Sequence, residues 1–427
     1  LPARRSLSPL PFGSTPMKSV ASLCLLLCLV PALAHAQTPP ASPGKAAAKA
    51  QSPGTAKPAV QSSAPSAAQV DSVALGPPQI AAKAYVLVAH PSGQVLAESN
   101  GDERLEPASL TKIMSAYVVF HELTAGHVAL DDQVLISERA WRTGGSRMFA
   151  DVNKQIVLED LVKGMVIQSG NDASVALAEH IAGSEEGFAK LMNSHAQRLG
   201  MTNSHFANAT GLPDPEEYAT ARDLAKVATA TIREFPEYYK WYSVKEYLFN
   251  NIKQRNRNLL LWRDDSVDGV KTGHTQGAGY CLVASARRDG MRLTSVVMGA
   301  ASPEARAQAS LALLNYGFRA FEGQRLYDPH AQIETLRVWM GETTELPVGP
   351  AEEVSVIIPR GRYDQLSGYI QKTPDIVAPI AKGDRVGDIV ISLGDQEILR
   401  EPLVALRDVA EGGLWAKIRD TILRWFS

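Results

Sequence analysis

A low-complexity segment near the N-terminus limits which part of this chain can fold. From Thr38 to about Pro78 the sequence is almost entirely Ala, Pro, Ser, Gln, Gly and Lys, and it contains no aromatic residue. Such a composition buries too little apolar surface to offset the entropy lost on ordering. We therefore predict that residues 37–78 form a disordered spacer and that the folded body begins at residue 79.

The segment before the spacer has the pattern of a secretory signal peptide. Lys18 gives it a positive start, Val20–Leu33 is a short apolar stretch, and Ala34–Ala36 is a small-x-small cleavage site. The apolar stretch is short for a membrane span. Residues 1–36 are therefore predicted to be a signal peptide together with the residues upstream of Met17, the candidate initiator. An uncleaved N-terminal anchor is the alternative.

The overall composition is that of a soluble globular protein. Hydrophobic residues make up 45% and charged residues 21%, and the net charge of −2 gives no indication of nucleic-acid binding. After Cys28 the only cysteine is Cys281, so an intramolecular disulfide in the body is impossible. The fold must rest on its hydrophobic core.

Residues 79–321 are predicted to form an α+β catalytic domain, because strand patterns at both ends enclose a run of helical patterns. Helices gathered on an antiparallel sheet fit this order. Helical periodicity covers Ser109–Leu123, Leu158–Ile181 with a break near Ser169, Phe188–Leu199, Ala221–Ile232 and Pro303–Phe321, and strand patterns cover Ala84–Val88, Val95–Leu96, Gly279–Ser285 and Leu293–Met298.

Residues 322–410 have a different sequence pattern from the region before them. Short β-rich runs are separated at regular intervals by Gly, Pro and Asp, which predicts a small all-β domain. Residues 411–427 are predicted to form an amphipathic helix suited to a membrane interface. Its apolar side carries Trp415, Ile418, Ile422 and Trp425, and its polar side carries Lys417, Asp420 and Arg424. A helix docked on its own β domain is the alternative.

Three short motifs carry the chemistry, in a fixed order along the chain. They are Ser109-Leu110-Thr111-Lys112, Ser169-Gly170-Asn171 and Lys271-Thr272-Gly273. A serine hydroxyl is a poor nucleophile at neutral pH and needs an adjacent base. Because residues i and i+3 share one face of a helix, Lys112 can point at the Ser109 hydroxyl. Burial can bring the pKa of such a lysine near neutrality.

The other motif residues suit supporting roles. Ser169 could relay a proton to the leaving group, and Asn171 could hold both Lys112 and a substrate amide. Lys271 would supply a fixed positive charge, and Thr272 a hydroxyl for an anionic group. The strand-like segment from Gly279, which follows the third motif, is expected to offer an edge strand to an extended peptide.

These motifs form the signature of penicillin-binding proteins and class A β-lactamases. The resemblance extends over about residues 80–427, and it is closest to low-molecular-mass penicillin-binding proteins that are D-alanyl-D-alanine carboxypeptidases. The residues that carry it are Pro107–Lys112, Gln168–Ala173, Ala221–Leu224, Asp268–Thr275 and Pro359–Arg362. The resemblance implies an oxyanion hole made by the backbone N–H groups of Ser109 and His274. It also implies that Arg306 binds the terminal carboxylate of the substrate. Gly273 belongs to the same substrate-binding segment.

The resemblance implies a serine peptidase that removes the terminal D-alanine from peptidoglycan pentapeptides and is acylated by β-lactams. It implies a periplasmic location, with residues 412–427 attaching the protein to the outer face of the inner membrane. No metal or cofactor is expected, because no histidine pair has metal-ligand spacing. The sequence does not define an oligomeric state.

Two other functions remain open from the sequence. One is a DD-endopeptidase or β-lactamase of the same superfamily, and the other is a non-catalytic peptidoglycan-binding module. A class A β-lactamase needs a deacylating glutamate between the second and third motifs, and none of the glutamates there has the expected Glu-x-x-Leu-Asn pattern. Glu179, Glu185, Glu186, Glu216 and Glu217 are among the glutamates in this interval.

Overall fold

The computed structural model describes residues 76–424. The predicted signal peptide, nearly all of the spacer, and Trp425 at the C-terminus lie outside the described residues. Within residues 76–424, no helix has the length and apolar character that crossing a bilayer requires.

Residues 79–321, the predicted catalytic domain, are built on a five-stranded antiparallel sheet with strand order β2-β1-β9-β8-β7. Two short antiparallel strand pairs, β3 with β4 and β5 with β6, lie outside this sheet. The strands are β1 (Ala84–His90), β2 (Val95–Ser99), β3 (Gln133–Leu135), β4 (Gln155–Val157), β5 (Glu246–Phe249), β6 (Ile252–Arg255), β7 (Val267–Thr275), β8 (Gly279–Arg288) and β9 (Met291–Ala300).

Helices cover both faces of this sheet. They are α1 (Thr111–Thr124), α2 (Glu138–Arg142), α3 (Leu158–Lys163), α4 (Asn171–Ala182), α5 (Glu185–Arg198), α6 (Ala221–Glu234), α7 (Pro236–Tyr239) and α8 (Pro303–Ala320). Successive side chains of a strand point to opposite faces. Along β1, Val86 and Val88 therefore join the core shared with α1 and α3–α6, while Tyr85 and Leu87 join the core beneath α8. This double burial explains why β1 reads as an unbroken apolar run, and it confirms the predicted α+β class.

Helix α1 lies at the centre of the helical layer, and every residue from Thr111 to Phe120 is buried. The helical pattern that was predicted to start at Ser109 begins instead with a 3₁₀ turn over Ala108–Leu110, which leads directly into α1. The nucleophile candidate therefore lies just before the buried N-terminal part of α1.

The third motif lies on an edge strand, and the expectation for the segment after it was wrong. Lys271, Thr272 and Gly273 belong to β7, the outermost strand of the sheet, whereas the segment from Gly279 is β8, which pairs with β7 on one side and β9 on the other. The open side of β7 is therefore the one available to an extended peptide.

The β domain follows α8 directly, because β10 begins at Phe321. Five of its strands form an antiparallel sheet in the order β11-β12-β16-β15-β14, and β10 pairs with β13. The strands are β10 (Phe321–Tyr327), β11 (Glu334–Arg337), β12 (Glu345–Pro350), β13 (Val354–Pro359), β14 (Leu366–Lys372), β15 (Arg385–Leu393) and β16 (Gln396–Ala405). Its core is separate and consists mainly of Val, Leu and Ile.

The last helix, α9 (Leu414–Arg424), follows the predicted periodicity, but its polar side does not face water throughout. Asp420 is fully buried, and its carboxylate accepts a hydrogen bond of 2.7 Å from the backbone N–H of Met340. On the other side, Trp415 is 84% exposed and Ile422 is 56% exposed. The helix is thus held on the β domain through a buried carboxylate while its apolar side chains remain exposed.

Replacing Asp420 with Ala is expected to loosen α9, because the Met340 N–H loses its charged acceptor. The cost should be about 1–2 kcal/mol, which corresponds to roughly 5- to 30-fold faster hydrogen exchange of the α9 amides. Hydrogen-exchange mass spectrometry of residues 412–424 measures this change. Asp395→Ala, at an exposed turn, is the control. Equal protection of α9 in both variants would contradict the docking role of Asp420.

Candidate active site

A cavity of about 640 Å³ lies between the helical layer and the edge strand β7. Seven of the nine predicted site residues line it: Ser109, Ser169, Asn171, Thr272, Gly273, His274 and Arg306. The other two, Lys112 and Lys271, are 0% and 3% exposed and do not line the cavity. The structure therefore brings the three motifs together, although 60 and then 102 residues separate them along the chain.

The amine of Lys112 is surrounded by three oxygens. Its Nζ lies 3.1 Å from Ser109 Oγ, 2.6 Å from Asn171 Oδ1 and 2.5 Å from the Thr210 carbonyl oxygen. Asn171 Nδ2 donates to the Gly144 carbonyl at 2.6 Å, which fixes the amide orientation with Oδ1 toward the lysine.

This geometry suits a neutral amine acting as a base. The Asn171 Oδ1 and the Thr210 carbonyl can only accept hydrogen bonds, so they take the two protons of a neutral amine. The remaining lone pair is then directed at the third neighbour, the Ser109 hydroxyl. Burial lowers the pKa of Lys112 to about 7, although the charge of Glu217 opposes this change. A large neutral fraction near physiological pH follows.

A close approach of two backbone segments places the Thr210 carbonyl. Gly211 has a φ of 74°, and a Cβ at this position would lie 1.8 Å from the Ala108 carbonyl oxygen. Only glycine fits this contact. The loop that supplies the second acceptor for Lys112 is thereby pressed against the turn that carries Ser109.

The second motif follows a π-helical turn, Gly164–Gln168, that continues from α3, and its Asn171 is the first residue of α4. Ser169 has a φ of 69°, its Oγ is buried, and no residue within 76–424 makes a hydrogen bond to it. Asp172 follows as a fully buried residue that accepts backbone N–H bonds from Met148, Phe149 and Ala150 at 2.9–3.1 Å. The free hydroxyl thus faces the cavity while Asp172 holds the loop around the cavity rim.

The third motif lies along the edge strand β7. The Lys271 amine donates to the Thr272 carbonyl at 3.0 Å. Burial lowers the pKa of Lys271 well below its usual value, and the nearby charges of Lys112, Arg257 and Arg306 lower it further. These neighbouring charges therefore disfavour the charged form of Lys271, which the sequence hypothesis takes as a fixed positive charge.

Two arginines lie at the end of the cavity that is suited to an anionic group of a ligand. Arg306 is held by hydrogen bonds from Nη1 to the Gly273 and Cys281 carbonyls at 2.9 and 3.3 Å. Arg257, which sequence reasoning missed, lines the same cavity, and within the described residues it forms no ion pair. It follows Asn256 in a polar run without any motif, so no local signal could have identified it.

Glu217 is a second residue whose role was missed. Its buried carboxylate accepts hydrogen bonds from Thr111 Oγ1 at 2.5 Å and from the Ala207 backbone N–H at 2.6 Å. It therefore ties the first turn of α1 to the loop that carries Thr210. Burial raises the pKa of Glu217 to about 7. Neither Glu217 nor the other glutamates considered for a β-lactamase line the cavity.

A serine beside a buried lysine base, in a cleft closed by an edge strand, defines a serine acyl-enzyme hydrolase of the penicillin-binding type. Comparison with known proteins agrees with this class. The D-alanyl-D-alanine carboxypeptidase family profile matches residues 71–302, and the penicillin-binding protein 5 C-terminal domain profile matches residues 321–411. The chain belongs to the D-alanyl-D-alanine carboxypeptidase family of serine peptidases.

The similarity to individual relatives extends over both domains. D-alanyl-D-alanine carboxypeptidase DacC of Escherichia coli (strain K12) is 45% identical over 361 residues, which cover 82% of this chain and 90% of that protein. DacA of the same strain is 42% identical, with 82% and 89% coverage. The protein in the crystal structure of penicillin binding protein 5 from Haemophilus influenzae is 42% identical in sequence, and the two structures superpose with a TM-score of 0.73. The match covers 79% of this chain and 100% of the Haemophilus influenzae chain.

Replacing Glu217 with Gln is expected to move the pH dependence of acylation. The neutral amide keeps the size of the side chain but removes the negative charge that favours protonated Lys112. Where Glu217 is ionised, its charge raises the pKa of Lys112, so in Glu217→Gln the pKa of Lys112 should fall and the acidic limb of the acylation rate should move to lower pH. The second-order rate of penicillin acylation, measured from pH 5 to 9, tests this expectation.

The matched control is Glu216→Gln, because the neighbouring Glu216 is exposed and its charge is screened by water. An acidic limb that stays in place, or moves to higher pH, in Glu217→Gln would show that Glu217 does not act on Lys112.

Proposed function

We propose that this protein is a serine-type D-Ala-D-Ala carboxypeptidase that removes the terminal D-alanine from peptidoglycan pentapeptides. The observation that carries the proposal is the Lys112 amine, whose two acceptor contacts leave its lone pair to Ser109. The names of relatives at 41–45% identity support the same activity. β-Lactams would acylate the same serine.

In the acylation step, Lys112 takes the proton of the Ser109 hydroxyl as Oγ attacks the carbonyl carbon before the terminal D-alanine. Backbone N–H groups of Ser109 and His274 would stabilise the negative charge that develops on the carbonyl oxygen. The proton then passes from Lys112 through the unpaired Ser169 hydroxyl to the leaving nitrogen. The C–N bond breaks, D-alanine departs, and an ester remains on Ser109.

In the deacylation step, water attacks the ester carbonyl. The Lys112 amine, neutral again, takes a proton from the water, and the Ser109 oxygen recovers a proton as the ester bond breaks. The substrate carboxylate would lie between Thr272 and Arg306, near Arg257 and Lys271. The open side of β7 would pair with the peptide backbone.

We further propose a periplasmic location, with residues 412–427 attaching the protein to the outer face of the inner membrane. The exposed apolar side chains of α9 support this, as does the basic character of Lys417 and Arg419. The buried Asp420 would then set how the β domain is oriented over the lipid.

The activity is tested with Ser109→Ala. D-alanine release from a pentapeptide is expected to fall at least about a thousandfold, because nucleophile removal costs several orders of magnitude in such enzymes. Labelling by a fluorescent penicillin should disappear as well. Ser92→Ala, at an exposed position outside the cavity, is the control. Release or labelling that persists in Ser109→Ala would refute the proposal.

The same assay separates the alternatives. A DD-endopeptidase would cleave a cross-linked peptide faster than it releases D-alanine, whereas a β-lactamase would turn over penicillin rapidly. A non-catalytic module would show neither reaction with an intact Ser109.

Membrane attachment is tested by deleting residues 412–427. We expect the protein to move from the membrane to the soluble fraction while penicillin labelling is retained. A point variant, Ile422→Asp, should weaken binding to anionic vesicles, because it places a charge among the exposed apolar side chains. Thr421→Asp adds the same charge at an exposed polar position. If both variants bind equally well, the apolar side of α9 does not contact lipid.

A further inference from the structure

Three of the nine histidines converge with a glutamate at the end of α1 opposite the active site. His121 and Glu122 lie in the last turn of α1, His195 lies on α5, and His127 follows in the loop after α1. One ligand atom from each of His121, Glu122 and His195 can be chosen so that all lie within 4.8 Å of one another. The mechanism uses none of these side chains.

The contacts within this cluster are those of a compact donor set. Glu122 places Oε1 3.2 Å from His121 Nδ1 and Oε2 2.6 Å from His127 Nδ1. The rings of His121 and His195 have centroids 4.6 Å apart. His127 has a 67% exposed side chain, so it can swing toward an ion as a fourth donor.

The chemistry of the donors selects the ion. Imidazole nitrogens together with one carboxylate suit Zn²⁺ and its neighbours Cu²⁺, Ni²⁺ and Co²⁺, whereas Mg²⁺ and Ca²⁺ prefer oxygen ligands. Two donors on a zinc ion lie about 3.3 Å apart, as its bond lengths near 2.0–2.1 Å and tetrahedral angles require. Small side-chain rotations would close the cluster to this spacing. The C-terminal end of α1 also favours a cation, because the helix dipole is negative there.

A neighbouring arginine already occupies one donor. Arg198 Nη2 lies 3.0 Å from His195 Nδ1, so this nitrogen presents a lone pair to a cation. The same guanidinium donates to Tyr117 Oη at 2.7 Å, and Tyr117 in turn donates to Glu234. Arg198 therefore keeps two partners if a metal ion displaces it from His195.

We propose that His121, Glu122 and His195, with His127 as a fourth donor, form a binding site for a divalent ion of the zinc class that competes with Arg198. The ion would join the last turn of α1 to α5 and to the loop after α1. Along the helix axis the site is about 18 Å from Ser109, because twelve residues at 1.5 Å each separate His121 from it. It would stabilise α1, which carries Lys112 and follows directly on the turn that carries Ser109, without touching substrate.

The test is titration of the full chain, free of any histidine tag and treated with a chelator, with Zn²⁺ alone in a calorimeter. We expect one equivalent to bind and to raise the melting temperature. His121→Gln and His195→Gln should each weaken binding about tenfold or more. Co²⁺ in place of Zn²⁺ should give visible absorption bands that are lost in both variants.

His180→Gln is the matched control, because His180 also pairs with a carboxylate, that of Asp132 at 3.4 Å, but belongs to no three-residue donor cluster within residues 76–424. This variant should bind Zn²⁺ as the unmodified chain does. Arg198→Gln should bind more tightly, because it removes the competing cation. Penicillin labelling checks that each variant is folded.

Three results would overturn the proposal. One is the lack of saturable binding near one equivalent. The second is unchanged affinity in folded His121→Gln or His195→Gln, and the third is an Arg198→Gln variant that does not gain affinity. Because labelling of Ser109 is measured separately, failure of the metal site leaves the proposed carboxypeptidase activity unaffected.

Discussion

The buried amine of Lys112 is the constraint on which the rest of the site depends. A charged ammonium in this position would lose its hydration, and burial therefore lowers its pKa to about 7. The three surrounding oxygens do not remove this cost, because two are neutral acceptors and the third is the hydroxyl to be activated. Burial disfavours the protonated form of Lys112, and the neutral amine can therefore act as a base for Ser109.

The buried Lys112 amine keeps these acceptors only if segments that are distant in sequence pack closely together. Asn171 is the first residue of α4, and the Thr210 carbonyl belongs to a loop that packs against the Ala108 turn at Gly211. Glu217 joins that loop to Thr111, one residue before the lysine. Each segment is anchored by a buried polar group with its own partners, as pre-organised sites require. The double-faced core around β1 and β9 supplies the rigid support.

The sequence was informative for the site residues that belong to short motifs. Ser109, Lys112, Ser169 and Asn171 could be predicted because their motifs fix residue types at close spacing, and helical periodicity identified α1, α5 and α6. It was less informative for β7, because Asp268 and the glycines at 269 and 273 interrupt the β pattern.

Residues that act across long sequence distances left no local signal. Arg257, Glu217 and Thr210 acquire their roles only from what they face in the folded chain. The zinc-class cluster is a similar case, since His195 is 74 residues from His121 and no spacing rule links them. Periodicity likewise gave the two sides of α9 but not that Asp420 docks on the β domain, because a helical repeat does not say which surface lies opposite.

The charge distribution in the cavity indicates which ligands the site favours. Arg257 and Arg306 line it, Lys112 and Lys271 lie buried beside it, and none of the lining residues is acidic. Burial lowers the pKa of Lys271 well below its usual value, and repulsion from the charges of Lys112, Arg257 and Arg306 lowers it further. A bound carboxylate would offset that repulsion and let Lys271 take up a proton. The anionic end of a substrate would therefore generate part of the positive field that holds it, which favours ligands with a carboxylate near the scissile bond over neutral peptides of the same shape.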